Sequence, residues 1–176
     1  MTTLAIERPK ADEHSPYFSR YIDRVPEGNL IGLLESQFSD TLALLQRVPR
    51  DREDFAYADG KWTVKEVVGH IADTERVFAY RALRFARNDP TELASFDENA
   101  WVTNASFGQR RLADLIDELD AVRQATIRLA RSLNAEELAR RGVASGNPVS
   151  VRALFYIIAG HERHHVGLFR ERYQLS

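Results

Sequence analysis

The sequence predicts an all-α fold, a bundle of four helices, on three observations. Four long segments carry apolar residues at steps of three and four, the spacing that keeps one face of a helix apolar. No segment alternates apolar and polar residues convincingly enough to predict a strand, and no internal repeat is present. With 176 residues, the chain is long enough for one domain with a sizeable core and too short for two comfortable ones. We therefore expect a single domain over residues 1–176.

The apolar stripes place the four predicted helices. They cover, in chain order, residues 29–48, 64–87, 109–133 and 150–173. Proline follows the first two helices, as Pro49 and as part of Asp89-Pro90, and proline cannot continue a helix without losing a backbone hydrogen bond.

Capping residues support these limits. Thr63 with Glu66 three positions later forms the capping-box pattern in front of the second helix. Asn134 caps a short helical turn that Gly142 is expected to end. The loop from Gly142 then leads to Ser150, a good N-cap for the final helix.

Two stretches lie outside the long helices. Residues 1–28 contain three prolines among several aromatic residues, so we expect an arm that packs aromatic side chains onto the bundle. His14 lies in this arm and is expected to be solvated. Residues 88–107 show little helical pattern, and a tight link between antiparallel neighbours would need only a few residues. We therefore expect this long connection to cross the bundle between the second and third helices.

Composition excludes several kinds of protein. The net charge of −2, with acidic and basic residues evenly mixed, argues against a dedicated nucleic-acid binder. The absence of cysteine rules out disulfides, thiolate nucleophiles and thiolate metal sites. No stretch resembles a signal peptide or a membrane span, so a cytoplasmic location is the default expectation, with no membrane partner.

The final predicted helix contains a pair of histidines where its apolar stripe would continue. His161 and His165 are four residues apart, which places them ~40° apart and ~6 Å along one helical face. Two imidazoles so placed can share one metal ion. They can also be core residues with satisfied hydrogen bonds, so a third ligand is needed to favour a metal site.

His70 of the second predicted helix can supply that third ligand. If the crossover lets the third helix run alongside the second, the fourth helix runs opposite to both. His70 then lies ~10 Å, and His165 ~13 Å, below the same end of the bundle. With the fourth helix parallel to the second, the levels would not match. This agreement favours the topology that brings the three histidines together.

Three segments carry a family resemblance. They are Trp62-Thr-Val-Lys-Glu-Val-Val-Gly-His70-Ile-Ala-Asp73-Thr-Glu-Arg, Phe96-Asp-Glu-Asn-Ala-Trp101 and Ala159-Gly-His161-Glu-Arg-His-His165. Together they resemble the DinB superfamily, and more narrowly its branch of metal-dependent hydrolases. The similarity covers nearly the whole chain.

The resemblance implies a four-helix bundle of up-down-down-up topology with one divalent metal ion, nickel or zinc. Carried over position by position, the metal ligands are His70, His161 and His165. Homodimers are common in this family, so a homodimer is plausible here. The family name implies no DNA chemistry.

His164 is the rival ligand, because His161 and His164 form a pair three residues apart. Its side chain points ~100° away from His165, so both cannot easily face one metal ion. We expect His164 to be partly exposed, touching the rim of the site.

Three neutral nitrogen ligands leave a metal ion with an open position, which is typical of catalytic sites. Such an ion can lower the pKa of a bound water from ~15.7 toward ~7 or polarise a substrate carbonyl. In the thiol-transferring members of the family, the open position would hold a low-molecular-weight thiol.

The sequence does not single out a general base, and the catalytic residues stay unknown. The candidates are Glu162, Asp73, Glu75, Gln37 and Tyr156, of which Asp73 could instead accept a hydrogen bond from His70. Gln37 lies with Thr41 on or beside the first apolar stripe, where both are more often edge residues than lining of a pocket. Arg81 and Arg152 could hold an anionic substrate, although helical arginines are usually at the surface.

Three functions remain open at this point. The first is a metal-dependent enzyme acting on a small molecule, either a hydrolase or a thiol S-transferase. The second is a non-catalytic bundle that binds a metal ion or small ligand as a sensor or store. The third is a structural interaction protein in which the histidines only fill the core.

Overall fold

The computed structural model describes residues 6–176. Its regular elements, in chain order, are α1 (Ser19–Ile22), α2 (Leu30–Leu45), α3 (Val64–Ala86), α4 (Glu98–Asn104), α5 (Leu112–Ser132), α6 (Ala135–Ala139), β1 (Arg141–Ala144), β2 (Asn147–Ser150) and α7 (Val151–Glu171). Four single 3-10 turns accompany them, at Ala11–Glu13, Pro16–Phe18, Arg50–Arg52 and Phe107–Gln109. The long helices α2, α3, α5 and α7 form the bundle.

Side-chain contacts show that α3 and α5 are parallel. Near the start of both helices, Lys65 Nζ donates to Gly108 O at 2.8 Å. Further along both helices, Arg76 and Glu118 form an ion pair at 2.6 Å. The long crossover therefore returns the chain to the same end of the bundle, as predicted.

The remaining two helices run the other way. At the end of the bundle where α3 begins and α7 has ended, the hydroxyl of Tyr173 donates to Trp62 O at 2.5 Å, so α7 is antiparallel to α3. Gln37 of α2 donates to Ala159 O of α7 at 3.1 Å, and Arg52 beyond α2 donates to Tyr173 O at 2.6 Å, so α2 and α7 are parallel. The predicted up-down-down-up bundle is confirmed.

The predicted capping residues take their places. Thr63 and Glu66 form the capping box of α3, Asn134 caps α6 and Ser150 caps α7. The first helix ends at Leu45 rather than at residue 48, and the third begins at Leu112 rather than at residue 109, because Phe107–Gln109 forms a separate 3-10 turn.

The crossover contains a helix that the sequence did not predict. Asp97 caps α4 by accepting from the backbone N–H groups of Asn99 and Ala100, both at 3.0 Å. Seven residues make about two turns, which is too few for an apolar stripe to stand out.

The stretch predicted as a loop from Gly142 is a β-hairpin. β1 and β2 pair antiparallel, with Gly142 opposite Val149. Ser145 and Gly146 connect them with φ values of 54° and 72°, the two positive values that a type I′ turn requires. Gly142 therefore does not end the preceding helical turn. It lies in β1 against Phe85, whose ring stands 2.1 Å from where a Cβ would be.

The hairpin is joined to the crossover. Leu93 donates from its N–H to Val143 O and accepts at its carbonyl from Ser145 N–H, both at 2.9 Å. Strand pairs of four residues with a proline among them give little alternating pattern, so they were missed in the sequence. The hydrogen bonds between Leu93 and the hairpin join two segments that are far apart in sequence, the crossover and the hairpin. Together these segments form a wall beside α3.

The apolar core falls into two clusters with a polar layer between them. One cluster packs the end of the bundle that holds α1, the last turns of α3 and the first turns of α7. The other packs the opposite end, around the first turns of α3 and α5 and the end of α7. Buried polar side chains lie at the level between the clusters, and among them are Gln37, Thr41, His70, Thr74, Glu75, Arg123, Thr126, His161, Glu162 and His165.

The N-terminal segment packs against α7 through α1. Residues 1–5 of the predicted arm lie outside the described residues. Tyr21 and Ile22 are buried, and Tyr17 is 52% exposed. Gly160 permits this contact, because a Cβ there would stand 2.0 Å from Tyr21 O. His14 is buried, with its Nδ1 at 3.0 Å from Ser15 O, so the expectation that it is solvated was wrong.

Within residues 6–176, every helix is too short or too polar to span a lipid bilayer.

Replacing Gly160 with alanine should destabilise the protein by about 1–3 kcal/mol, the usual cost of overpacking. The new methyl group meets backbone, which cannot move aside as a side chain would. Urea unfolding measures the change. Gly167→Ala is the matched control, because it lies in the same helix and a Cβ there would have nothing within 4 Å, and it should gain up to about 1 kcal/mol. Equal effects of the two substitutions would contradict the close contact.

Acid should weaken the attachment of the segment through Glu13. Arg152 donates to Glu13 at 2.7 Å, and this hydrogen bond lowers the pKa of the Glu13 carboxyl from 4.5 to about 2. A lowered pKa means that the stabilisation is complete above pH 4.5 and is lost as the pH falls toward 2. Glu13→Gln should therefore cost roughly 2–3 kcal/mol at pH 7, and the gap from the parent protein should close between pH 4.5 and 2. A gap that is independent of pH would refute this role of the carboxylate.

Candidate metal centre and its cavity

Three buried histidines from two helices meet at one point. His70 comes from α3, and His161 and His165 come from α7. His161 Nε2 lies 3.1 Å from His70 Nε2 and 3.1 Å from His165 Nε2. Each residue is 6–7% exposed. The structure thus brings together the three histidines that the sequence singled out.

Hydrogen bonds among the three rings cannot satisfy this cluster. A ring nitrogen carries either one proton or one lone pair, so His161 Nε2 cannot make full hydrogen bonds to both neighbours. At most one of its two contacts, at 3.1 Å each, is therefore a full hydrogen bond. Leaving buried polar atoms unpaired costs free energy.

The donor set fits a divalent metal ion. At Zn–N distances of ~2.0–2.1 Å, nitrogens of a tetrahedral site are ~3.3 Å apart, close to the two separations seen. One potential donor atom from each of His70, His161 and His165 lies within 4.8 Å of the others. Imidazole is also a ligand that zinc and nickel accept readily.

Burial keeps the three imidazoles neutral. It lowers the pKa of His70 to about 4 and the pKa values of His161 and His165 well below 6.5. Neutral rings have a lone pair to offer, whereas protonated rings do not. All three can therefore act as donors at neutral pH.

Aromatic rings and one hydroxyl surround the histidines. Trp62 packs on His70 with ring centroids 4.6 Å apart, and Tyr21 packs edge-on against His161 at 5.4 Å. Thr74 Oγ1 lies 3.4 Å from His70 Nδ1. Asp73, which the sequence offered as the acceptor for His70, instead pairs with Arg76 at 3.0 Å, because its carboxylate lies on the outer side of α3.

His164 is half-buried and lines the cavity beside the cluster, with its ring 5.5 Å from Tyr21. It is not one of the three converging histidines. This matches the expectation of a residue at the rim.

A cavity of about 400 Å³ opens beside the histidines, within the ~300–1,000 Å³ range of small-molecule sites. Aromatic side chains make much of its wall. The charged side chains in the wall are Arg20, Arg81 and Glu98. The crossover and the hairpin contribute Ser95, Phe96, Ser145 and Asn147, which the sequence did not place near the histidines.

The other candidate bases do not face this cavity. Tyr156 donates to Ile6 O at 3.3 Å, and Arg152 is held by Glu13. Glu75, Glu162 and Gln37 belong to a separate buried network. Of the two arginines considered for an anionic substrate, only Arg81 lines the cavity.

The buried network is centred on Arg123, a residue that sequence reasoning missed. Arg123 is fully buried and donates to both carboxylate oxygens of Glu75, at 2.9 and 2.8 Å. Its Nη1 donates to Glu162 at 2.7 Å. Thr41 and Gln37 also donate to Glu162, the former at 2.6 Å. Gln37 and Thr41 are thus buried hydrogen-bonding residues and not edge residues.

A signal for Arg123 was present in the sequence. It lies four residues after Leu119 and four before Ile127, both buried residues of the α5 stripe. An arginine at core spacing predicts a buried ion pair, since a buried charge needs a partner.

Arg123→Ala should destabilise the protein by about 3–5 kcal/mol, because it leaves two buried carboxylates without their cation. Thermal or urea unfolding measures this loss. Arg128→Ala on the exposed side of the same helix is the control, with an expected change within about 0.5 kcal/mol. A loss no larger than that of the control would show that the network does not stabilise the fold.

Comparison with known proteins places the chain in a family. The model of the DinB superfamily matches residues 33–169. A protein of Oceanobacillus iheyensis named "putative metal-dependent hydrolase" is 28% identical over 113 residues, which is 62% of this chain and 64% of that protein. The match therefore spans a little less than two thirds of the length of this curated relative.

Three solved structures share the fold. YfiT of Bacillus subtilis, described as "a probable metal-dependent hydrolase with an unusual four-helix bundle topology", has a TM-score of 0.73 at 18% identity, over 97% of this chain and 95% of its own. A mycothiol-dependent maleylpyruvate isomerase has a TM-score of 0.67 at 11% identity, over 83% and 61%. The DinB-like protein YjoA of B. subtilis has a TM-score of 0.61 at 23% identity, over 84% and 91%.

These three likenesses concern the fold, while the family match covers more than half of the sequence. The chain belongs to the DinB superfamily.

Proposed function

We propose that this protein is a metal-dependent hydrolase of a small molecule, with one divalent ion, nickel or zinc, held by the Nε2 atoms of His70, His161 and His165. The observation that carries the proposal is the convergence of three buried, neutral imidazoles on the wall of a cavity of about 400 Å³. The curated relative named as a metal-dependent hydrolase supports it.

An ion held by three nitrogen ligands supplies a Lewis acid that polarises a carbonyl and lowers the pKa of water at its open position. The protein's own residues prepare the site for that chemistry. Trp62 and Tyr21 pack against the histidine rings, so they fix the ring planes and keep bulk water from the donor atoms. Phe18 and Phe78 line the same cavity and would hold the apolar part of a substrate.

Proton transfer would fall to the few suitable groups in the wall. Of the described residues that line the cavity, Glu98 is the one carboxylate, and His164 is the one imidazole outside the converging three. Neither α3 nor α7 contributes a carboxylate to the lining.

A second candidate, transfer of a low-molecular-weight thiol, is favoured by that same scarcity of carboxylates. A thiol ionises far more easily than water, so a thiolate route needs less help from a general base. The likeness in fold to a mycothiol-dependent isomerase is compatible with this chemistry.

Metal analysis of the purified protein tests the proposal first. We expect about one ion per chain in the parent protein, and His161→Ala should bind it at least ~10-fold more weakly, because one of three ligands is lost. His164→Ala is the matched control, since it removes an imidazole three residues away that is outside the cluster. Full retention of metal by His161→Ala would refute the assignment.

Melting temperatures and turnover assays then separate the functions. A native-state ligand at ~100 times its Kd stabilises by about 2.7 kcal/mol, so added zinc or nickel should raise the melting temperature and a chelator should lower it. No response to either would favour a purely structural role for the histidines.

Turnover of esters or amides supports the hydrolase, and transfer from a thiol supports the transferase. A metal-loaded protein inactive in every assay would be a sensor or store.

A further inference from the structure

We propose that Arg81 is the anion-binding end of the cavity, so that substrates carry a carboxylate at the end away from the reacting group. This inference rests on the proposed function and names the substrate class for the same site. Arg81 lines the cavity and is 4% exposed. No carboxylate among residues 6–176 forms an ion pair with it, in contrast to the fully buried Arg123, which has two.

The hydrogen bonds of Arg81 leave most of its guanidinium free. Its Nη2 donates to Ala94 O at 2.7 Å and to Ser145 Oγ at 3.1 Å. Its Nε and Nη1 have no acceptor among the described residues, and neither is sealed from solvent. Two neutral oxygens do not compensate a positive charge, and a largely buried guanidinium without a counter-charge is less favourable than one that is paired. The missing counter-charge is what a bound carboxylate would supply.

Nothing else in the described lining of the cavity supplies that charge. Glu98, the one carboxylate there, makes no ion pair with Arg81. Burial lowers the pKa of the Arg81 guanidinium, and no neighbouring carboxylate opposes this shift. Arg20, the second arginine in the wall, is exposed and donates to the hydroxyls of Tyr17 and Tyr21.

Arg81 faces the cavity from the same side of α3 as His70. Arg81 follows His70 by eleven positions, which is about three helical turns plus ~20° and a rise of ~16 Å. Thr74 and Phe78 lie between them on this face, and all four line the cavity. The face therefore presents the histidine cluster at one end, an aromatic ring in the middle and a cation at the other end.

The middle of the cavity is apolar. Phe18 packs edge-on against Phe78 with centroids 5.9 Å apart, and the ring of Phe96 lies 5.7 Å from the guanidinium carbon of Arg81. A fitting ligand is elongated, with a reactive carbonyl or thiol at the histidines, a hydrocarbon middle and a terminal carboxylate at Arg81.

A structural role alone does not explain this arginine. Nη2 fastens the crossover to the hairpin through Ala94 and Ser145, and a neutral donor could make those hydrogen bonds. This structural role does not account for the positive charge or for the Nε and Nη1 groups, which have no acceptor in the described part of the chain.

The test compares two probe series on the zinc-loaded protein of residues 1–176. The first is the monohydroxamates of straight-chain dicarboxylic acids of increasing length, in which the hydroxamate binds the ion and the carboxylate is free to reach Arg81. The second has a neutral carboxamide in place of the carboxylate. Calorimetry gives Kd for each pair. At the best chain length the carboxylate should bind at least ~10-fold more tightly, since hydrogen bonds to charged groups contribute ~1.5–3 kcal/mol.

Substitutions of Arg81 test whether this residue causes the preference for the carboxylate probes. Arg81→Gln should bring the ratio of the two Kd values close to one, because the loss of affinity falls mainly on the carboxylate series. A merely structural role would weaken both series alike and keep the ratio. Arg81→Lys should keep part of the preference. Arg84→Gln is the matched control, because Arg84 lies on the same helix and pairs with Asp89 outside the cavity, and it should keep the full ratio.

Several results would overturn the inference. Equal Kd values for the two series in the parent protein would do so without any variant, as would a full preference in Arg81→Gln. The same pairs titrated into chelator-treated protein separate this inference from the proposed function. If binding of the probes depends on the ion but the carboxylate series binds no more tightly than the carboxamide series, the inference is overturned and the metal assignment stands. Carboxylate preference without any effect of the ion overturns the metal assignment and supports Arg81.

Discussion

The fold depends on one buried cation that touches all four long helices. Arg123 of α5 binds Glu75 of α3 and Glu162 of α7, and its Nη1 also donates to Leu34 O of α2 at 3.3 Å. Because Arg123, Glu75 and Glu162 are buried, rotating or sliding α3, α5 or α7 would leave a charge in the core without its partner. The network therefore fixes helix register in a way that apolar contacts alone do not, since apolar side chains can repack at modest cost.

This constraint positions the histidines. Glu162 is next to His161 and, at ~100° per residue on α7, it faces α2 and α5 while His161 faces α3. Glu75 stands next to Thr74, which lies beside His70. The two helices that supply the histidines are thus each locked by a carboxylate adjacent to the site. The polar layer between the two apolar clusters therefore has two parts. The ion pairs of Arg123 lie on one side of α7, and the three histidines lie on the other.

Sequence reasoning recovered what local chemistry determines. Periodicity gave the four helices, the capping residues gave the starts of α3 and α7, and helical spacing with matching heights brought His70, His161 and His165 together. It missed Arg123, because a buried ion pair joins residues from separate helices and only the interrupted stripe of α5 hints at it. It also missed the hairpin and α4, whose short lengths give no periodic signal. It misplaced Asp73 and His14, because small differences in side-chain direction and packing decide exposure.

The pairing of Leu93 with the hairpin gives the cavity two walls that are built differently. The histidines lie on long helices that a buried ionic network holds together. Much of the opposite wall of the cavity consists of two short connecting segments, which are joined to each other by backbone hydrogen bonds. Loops tolerate replacement far better than a packed core does. Replacements within residues 93–98 and 144–147 can accordingly change the shape and polarity of the cavity, while the three histidines keep their places on the helices.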